Sequence, residues 1–232
     1  MKVKQFRYSA DNLGYLIYGE ESAIAVDGGA FEQMLSFIEE HCLELRIVTN
    51  THSHGDHTCG NRELAEATEA EFINVGELPS RRTLPLEGSR IDIIHTPGHT
   101  ADSVCFYIPG ILVSGDTLFN GKVGRCFTGD IRTFYKSIRK LLELPGDTVI
   151  YGGHDYVREY LEFARMVEPS NSFINAYLRR YDPTHVFASL EEELKVDPFL
   201  RLNEPSVTSF LKSRNLPVST EYQRWESLMS LM

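Results

Sequence analysis

Long apolar runs are missing from this chain. Nothing in its 232 residues approaches the ~20 consecutive apolar residues of a membrane-spanning helix. The opening Met1-Lys2-Val3-Lys4-Gln5 also lacks the apolar stretch of a secretory signal. Cysteine is sparse: Cys42, Cys59, Cys105 and Cys126 show no paired spacing and no C-x-x-C. That excludes a disulfide-stapled scaffold and predicts reduced thiols in a cytoplasmic protein. Positive charge is in deficit, with 23 Lys and Arg against 33 Asp and Glu, a formal net charge of −10. Phosphate backbones are bound by basic faces, so no nucleic-acid partner is expected, and the missing apolar span argues for no membrane partner. Internal repeats and low-complexity segments are absent as well. What remains is a soluble chain of one or two domains, long enough to bury a sizeable core.

One decapeptide, Thr51-His52-Ser53-His54-Gly55-Asp56-His57-Thr58-Cys59-Gly60, concentrates the chemistry. His52, His54, Asp56 and His57 offer imidazole nitrogen and carboxylate oxygen, donors that suit zinc, iron or manganese. The cluster follows the β-branched run at residues 46–50, which reads as a buried strand. In extended chain the side chains at 52 and 54 point the same way. Gly55 then lets the backbone turn, aiming Asp56 and His57 at a neighbouring point, an arrangement for two metal ions side by side. A histidine-rich tag would be terminal and monotonous; this segment lies between a strand and a helix and mixes Asp with His at fixed offsets.

Three further candidates share its context. His99 follows the apolar run at 91–94, Asp116 follows Ile111-Leu112-Val113, and His154 follows Thr148-Val149-Ile150. Each time a strand ends in a Gly-containing turn that carries a His or Asp. Strand-end loops on one edge of a layered α/β fold are where sites are built. His41, His95 and His185 lack such a setting and read as structural or solvated residues.

The remaining pattern is scaffold. Short strands at 15–18 and 22–26 open the chain, and Asp27 follows as a turn residue. Phe31, Met34, Leu35, Ile38 and Cys42 form one helix face, and Ile131, Phe134, Tyr135, Ile138, Leu141 and Leu142 another. From about Tyr156 the chain reads as helices without strands, stopped at Glu168-Pro169 and Asp182-Pro183 because proline ends a helix at its predecessor. The predicted division is a catalytic domain at 1–168 and a helical domain at 169–232.

The motif H-x-H-x-D-H at 52–57, followed in order by His99, Asp116 and His154, resembles the metallo-β-lactamase superfamily. The resemblance covers about residues 11–156 and implies an α/β fold, an αββα sandwich with both metals at one edge of its sheets. It implies one metal on His52, His54 and His99, a second on Asp56, His57 and His154, and Asp116 shared between them. It also implies that Asp27 orients a metal-bound histidine from behind. Segments of the tail, Glu168-Pro169-Ser170-Asn171, Leu190-Glu191-Glu192-Glu193 and Asp197-Pro198-Phe199-Leu200-Arg201, are similar to the helical domain of glyoxalase II, the hydroxyacylglutathione hydrolases.

The chemistry follows from the donors. Two divalent ions about 3.5–4 Å apart, zinc first and iron or manganese as alternatives, lower the pKa of a shared water and hold it as the nucleophile. One ion also polarises the substrate carbonyl. A thioester suits such a site, because its thiolate leaving group has a pKa near ~8.5 and departs with little acid help. Asp56 is placed to assist proton movement after attack. A small-molecule thioester such as S-lactoylglutathione is the expected substrate. Similarity to the family loop at 121–129 suggests Arg125 and Phe127 as substrate contacts, and Tyr156 matches another. In that loop Phe127 stands where the family carries Tyr, and the family's basic C-terminal segment is represented only by Arg224. The thiol carrier is therefore open: glutathione, another small thiol, or a coenzyme A-like group. Two rival readings are a persulfide dioxygenase using one iron on His52, His99 and Asp116, and a non-catalytic metal-binding protein.

Overall fold

The structure, a computed structural model, describes residues 1–232. Two sheets pack face to face with helices outside each, an αββα sandwich. The first sheet runs β1 (Lys2–Tyr8), β2 (Asn12–Tyr18), β3 (Ser22–Val26), β4 (Glu44–Thr49) and β5 (Glu71–Phe72), adjacent in that order. Its first three strands meander antiparallel, and α1 (Phe31–Glu40) carries the chain across so that β4 joins β3 in parallel. The second sheet contains β6 (Thr83–Leu86), β7 (Ser89–His95), β8 (Val104–Ile108), β9 (Ile111–Gly115), β10 (Val149–Gly152) and β11 (Ala188–Ser189), in spatial order 11-10-9-8-7-6. Here α5 (Ile131–Leu141) makes the crossover that sets β10 parallel to β9.

Alternation along the strands builds the layers. Leu13, Tyr15 and Ile17 of β2 enter the core between the sheets, while Leu16 turns outward to Met34 and Ile38 of α1 and Leu64 of α3 (Asn61–Thr68). On the second sheet Val104 and Phe106 face inward and Cys105 faces α5. Beyond α5 lie α9 (Pro205–Ser213) and α10 (Glu221–Met229). Trp225 of α10 is fully buried there, its ring 5.7 Å from Phe134 and 5.5 Å from Phe199. Truncating such a residue to Ala costs about 3–5 kcal/mol. The face of α6 (Val157–Val167) bearing Val157, Leu161 and Ala164 joins the inter-sheet core. The helix ends one residue before Glu168-Pro169.

The structure departs from the sequence reading in three places. A strand, β1, precedes those at 15–18 and 22–26; it is an edge strand with lysines at 2 and 4, covered on one side only, and so lacks a strong apolar signal. Tail residues Ala188 and Ser189 add a two-residue edge strand to β10, in a region read as purely helical. Cys42 lies beyond α1 with φ 52°, exposed rather than in the helix stripe. No helix is long and apolar enough to cross a membrane.

Candidate metal centre

The loops after β4, β7, β9 and β10 meet at one edge of the sandwich. Past β4, Thr51 and His52 are buried, and His54 is still extended at φ −65°, ψ 145°. His52 and His54 therefore share a side, His52 Nε2 lying 2.9 Å from His54 Nδ1. A single helical turn, α2 (Gly55–Thr58), then rotates Asp56 and His57 to an adjacent point, with Asp56 Oδ2 3.6 Å from His57 Nε2. His99 brings Nε2 to 3.0 Å from His54 Nδ1, and His154 brings Nε2 to 3.1 Å from His57 Nε2.

Asp116 sits between the two groups. Its Oδ2 is 3.3 Å from His99 Nε2, 3.5 Å from His154 Nε2 and 3.9 Å from His52 Nε2, and its Oδ1 is 3.3 Å from His57 Nε2. The ligand atoms of His52, His54, His99 and Asp116 all lie within 4.8 Å of one another, as do those of Asp56, His57 and His154. The structure thus brings together all seven sequence-predicted ligands, in the two groups.

The far nitrogens show why these groups face inward as lone pairs. His57 Nδ1 is 2.9 Å from Asp27 Oδ2, His99 Nδ1 is 2.9 Å from the Arg125 carbonyl, and His154 Nδ1 is 2.8 Å from Asp11 Oδ1. Each partner accepts, so each Nδ1 carries a proton, and in the neutral imidazole each Nε2 then presents a lone pair to the centre. Imidazole lone pairs about 3 Å apart repel, and buried Asp116 Oδ1 finds no donor. Such a donor set is satisfied by divalent cations rather than by its own hydrogen bonds. The residues fit the metals that the chemistry calls for.

Burial and the surrounding carboxylates pull the histidines in opposite directions. Burial pushes His52 down to about 2, so it is a neutral ligand at any working pH. Burial also opposes charge on His57, but the carboxylates of Asp27, Asp116 and Asp56 together outweigh it and lift that imidazole, with no metal bound, to about 9. Burial would raise Asp116, yet His154, His57 and His52 around it hold its carboxyl well below the usual range. Asp27 itself is fully buried and accepts from the Thr51 N–H at 2.7 Å and hydroxyl at 2.9 Å as well as from His57.

Two glycines make room for the centre. A Cβ on Gly153 would stand 2.2 Å from Asp116 Oδ1 and 2.9 Å from His57 Cε1. A Cβ on Gly124 would meet the Asp116 carbonyl oxygen at 1.8 Å.

The other expected site residues lie at the rim. Phe127 is 59% exposed, edge-on to His54 and His99 with ring centroids 5.5 and 5.1 Å away. The exposed Arg125 guanidinium is 5.3 Å from the Phe127 ring. Tyr156 stacks flat on His154 at 4.9 Å. Arg224 is elsewhere: it donates to the carbonyls of Leu202 at 2.6 Å and Val218 at 2.7 Å, knitting the tail together. Cys59, beside the cluster, is exposed and points its thiol at the Asp56 carbonyl, 3.2 Å away. His41, His95 and His185 lie outside the cluster: His41 stacks on Phe37, His95 meets the Ala101 carbonyl, and His185 packs against Tyr151 and Phe187. Sequence reasoning missed Tyr8, Asp11 and Asn12, which reach the centre from the β1–β2 turn; Asn12 Nδ2 donates to Asp56 Oδ2 at 2.9 Å.

Comparison with known proteins agrees with this geometry. The family model of the metallo-beta-lactamase superfamily matches residues 12–81 and 74–154, and that of the hydroxyacylglutathione hydrolase C-terminus matches 155–230. The hydroxyacylglutathione hydrolase of Methylobacillus flagellatus is 36% identical, covering 88% of each chain. That of Pseudoalteromonas translucida is 30% identical over 100% of this chain and 97% of its own. Among solved structures, ETHE1 from Myxococcus xanthus has the same fold, with a TM-score of 0.70 at 21% identity over 99% of this chain and 90% of that one. TTHA1623 in a di-iron-bound form matches with a TM-score of 0.58 at 25% identity, over 82% of this chain and 95% of that one. The chain belongs to the metallo-beta-lactamase superfamily and, through its C-terminal helices, to the hydroxyacylglutathione hydrolases.

Proposed function

We propose that this protein is a binuclear metal-dependent hydrolase that cleaves a small-molecule thioester, an S-acylglutathione such as S-lactoylglutathione. The observation that carries the reading is the double donor set, with Asp116 placed to serve both halves. His52, His54, His99 and Asp116 would hold one divalent ion, and Asp56, His57, His154 and Asp116 the other. When bound, such ions supply an activated water and an electrophile for the thioester carbonyl. Zinc suits the His/Asp donors, and the di-iron form of TTHA1623 supports iron as another occupant.

The chain's own groups do the rest. Asp27, Asp11 and the Arg125 carbonyl hold three imidazoles in the tautomer that presents Nε2. Asp56, half exposed beside the centre, would take a proton after attack. Phe127 and Tyr156 flank the ligands with apolar ring surface, and Arg125 offers a guanidinium to a substrate carboxylate. No acid need be supplied to a leaving thiolate. We place the boundary between catalytic and helical domains at 168/169, where α6 ends ahead of Pro169. The four free cysteines support a reducing cytoplasm as its location.

An acyl-thioester panel read beside elemental analysis tests the proposal. The expected result is turnover of S-lactoylglutathione by protein holding two ions per chain, with His54→Ala and Asp116→Ala losing both turnover and metal. Full activity in either variant overturns it. So does a single bound iron with oxygen consumption on a persulfide, the dioxygenase outcome.

A further inference from the structure

The two halves of the centre are supported differently. His52, His99 and Asp116 are nearly buried, their side chains 1%, 5% and 8% exposed, and His54 is half-buried. In the other half His57 and His154 are as deeply buried, at 0% and 7%, but the Asp56 side chain is 48% exposed on a four-residue helix. Short helical turns at a surface do not by themselves fix a carboxylate.

What fixes them is the turn between β1 and β2. Asn12 Nδ2 donates to Asp56 Oδ2 at 2.9 Å, the same oxygen that lies 3.6 Å from His57 Nε2 and 3.4 Å from His154 Nε2. The Tyr8 hydroxyl donates to the Asp56 carbonyl at 2.8 Å, holding the backbone of the same residue. Asp11 Oδ1 accepts from His154 Nδ1 at 2.8 Å. None of the hydrogen bonds of these three side chains reaches His52, His54, His99 or Asp116. The turn is itself anchored, since the Asp155 N–H donates to the Asp11 carbonyl at 2.9 Å and the Leu13 N–H to the Gly153 carbonyl at 2.8 Å. Asp155 is gripped in turn by Arg7 at 2.5 Å and by the Tyr181 hydroxyl of the segment after α7 (Ser172–Arg180) at 2.7 Å.

We infer that the β1–β2 turn is a positioning strap for one cation site alone: Asp11 and Asn12 set the affinity of the Asp56/His57/His154 half and leave the other half untouched. The inference rests on the two-cation reading. It makes the exposed half the exchangeable one, with its retention governed by residues that themselves bind no metal. Residues that orient metal ligands from behind change metal affinity by about 10- to 100-fold.

The test uses zinc-loaded protein equilibrated with graded concentrations of a chelator, with zinc per chain read by elemental analysis. Wild type should lose its two ions in two steps. Asp11→Asn and Asn12→Ser should each lose the first ion at about 10- to 100-fold lower chelator activity and the second at an unchanged one. Unchanged profiles in both variants overturn the inference while leaving the two-cation reading intact, as does an equal weakening of both steps. A wild type that holds one ion overturns the two-cation reading instead. Circular dichroism identifies a variant that fails to fold, leaving the other to decide; failure of both overturns the inference, because the turn would then be a general folding element.

Discussion

Replacing Gly153 with Ala presses hardest on the shared carboxylate while removing no ligand. The substitution adds one methyl group, yet that carbon would stand 2.2 Å from Asp116 Oδ1, 2.9 Å from His57 Cε1 and 3.1 Å from the Gly115 carbonyl carbon. Ordinary non-bonded contact is about 3.5 Å, so Asp116 or the chain at Gly153 must yield by more than about 1 Å. Overpacking of this kind costs about 1–3 kcal/mol, equivalent to a fall of roughly 2–12 °C in Tm for a chain of this size. The functional loss should be larger than that stability loss suggests, because a misplacement of about 1 Å at a reacting centre costs roughly 10²-fold. Thioester hydrolysis and zinc content measured on the same preparation, below the melting transition, separate the two effects. Asp116 is expected to lose its place between the halves, so that kcat/KM falls about 100-fold and at least one ion is retained less tightly. A Gly153→Ala protein with two tightly held ions and kcat/KM within about twofold of wild type would refute the geometry assigned to Asp116.

Two other perturbations address the scaffold. Burial pushes Glu193 up to about 7, outweighing hydrogen bonds from Tyr177, the Gly121 N–H and Asn120. A carboxyl whose folded pKa is raised contributes stability that is complete below its ordinary value near 4.5 and lost as pH rises to about 7. Urea unfolding should therefore show stability falling by roughly 3 kcal/mol between pH 4.5 and 7 from this group, at about 1.36 kcal/mol per pKa unit; Glu193→Gln should flatten that fall, and an unaltered slope would contradict the assignment. Arg224→Ala removes charged donors from the Leu202 and Val218 carbonyls, so it should cost about 1.5–3 kcal/mol while leaving KM for a glutathione thioester within about twofold; a large rise in KM with unchanged Tm would restore Arg224 to the substrate.

The ligands were legible because each lies in a Gly-containing turn after an apolar strand, so their order along the chain reports their position on one sheet edge. Asp27, at the end of β3, read from its setting only as a turn residue, and its place behind a histidine came from the family resemblance. Asp11 and Asn12 left no such mark. They follow a polar edge strand and meet their partners across 143 and 44 residues, Asp11 at His154 and Asn12 at Asp56, contacts that only the packed sandwich creates. Strand β1 was hidden by the lysines that keep an edge soluble. In the tail, the family resemblance left Arg224 as the one candidate for a basic substrate-binding segment. The helix that carries it instead buries Trp225 and turns Arg224 onto neighbouring carbonyls, and local sequence carries no signal for which of those a cation will choose.

Anomalous diffraction at the zinc edge from crystals of zinc-loaded protein is the most direct measurement. Two peaks are expected, one enclosed by His52, His54, His99 and Asp116 and one by Asp56, His57, His154 and Asp116. A single peak at full loading, or none at this edge of the sandwich, would contradict the paired-cation centre and the hydrolase built on it.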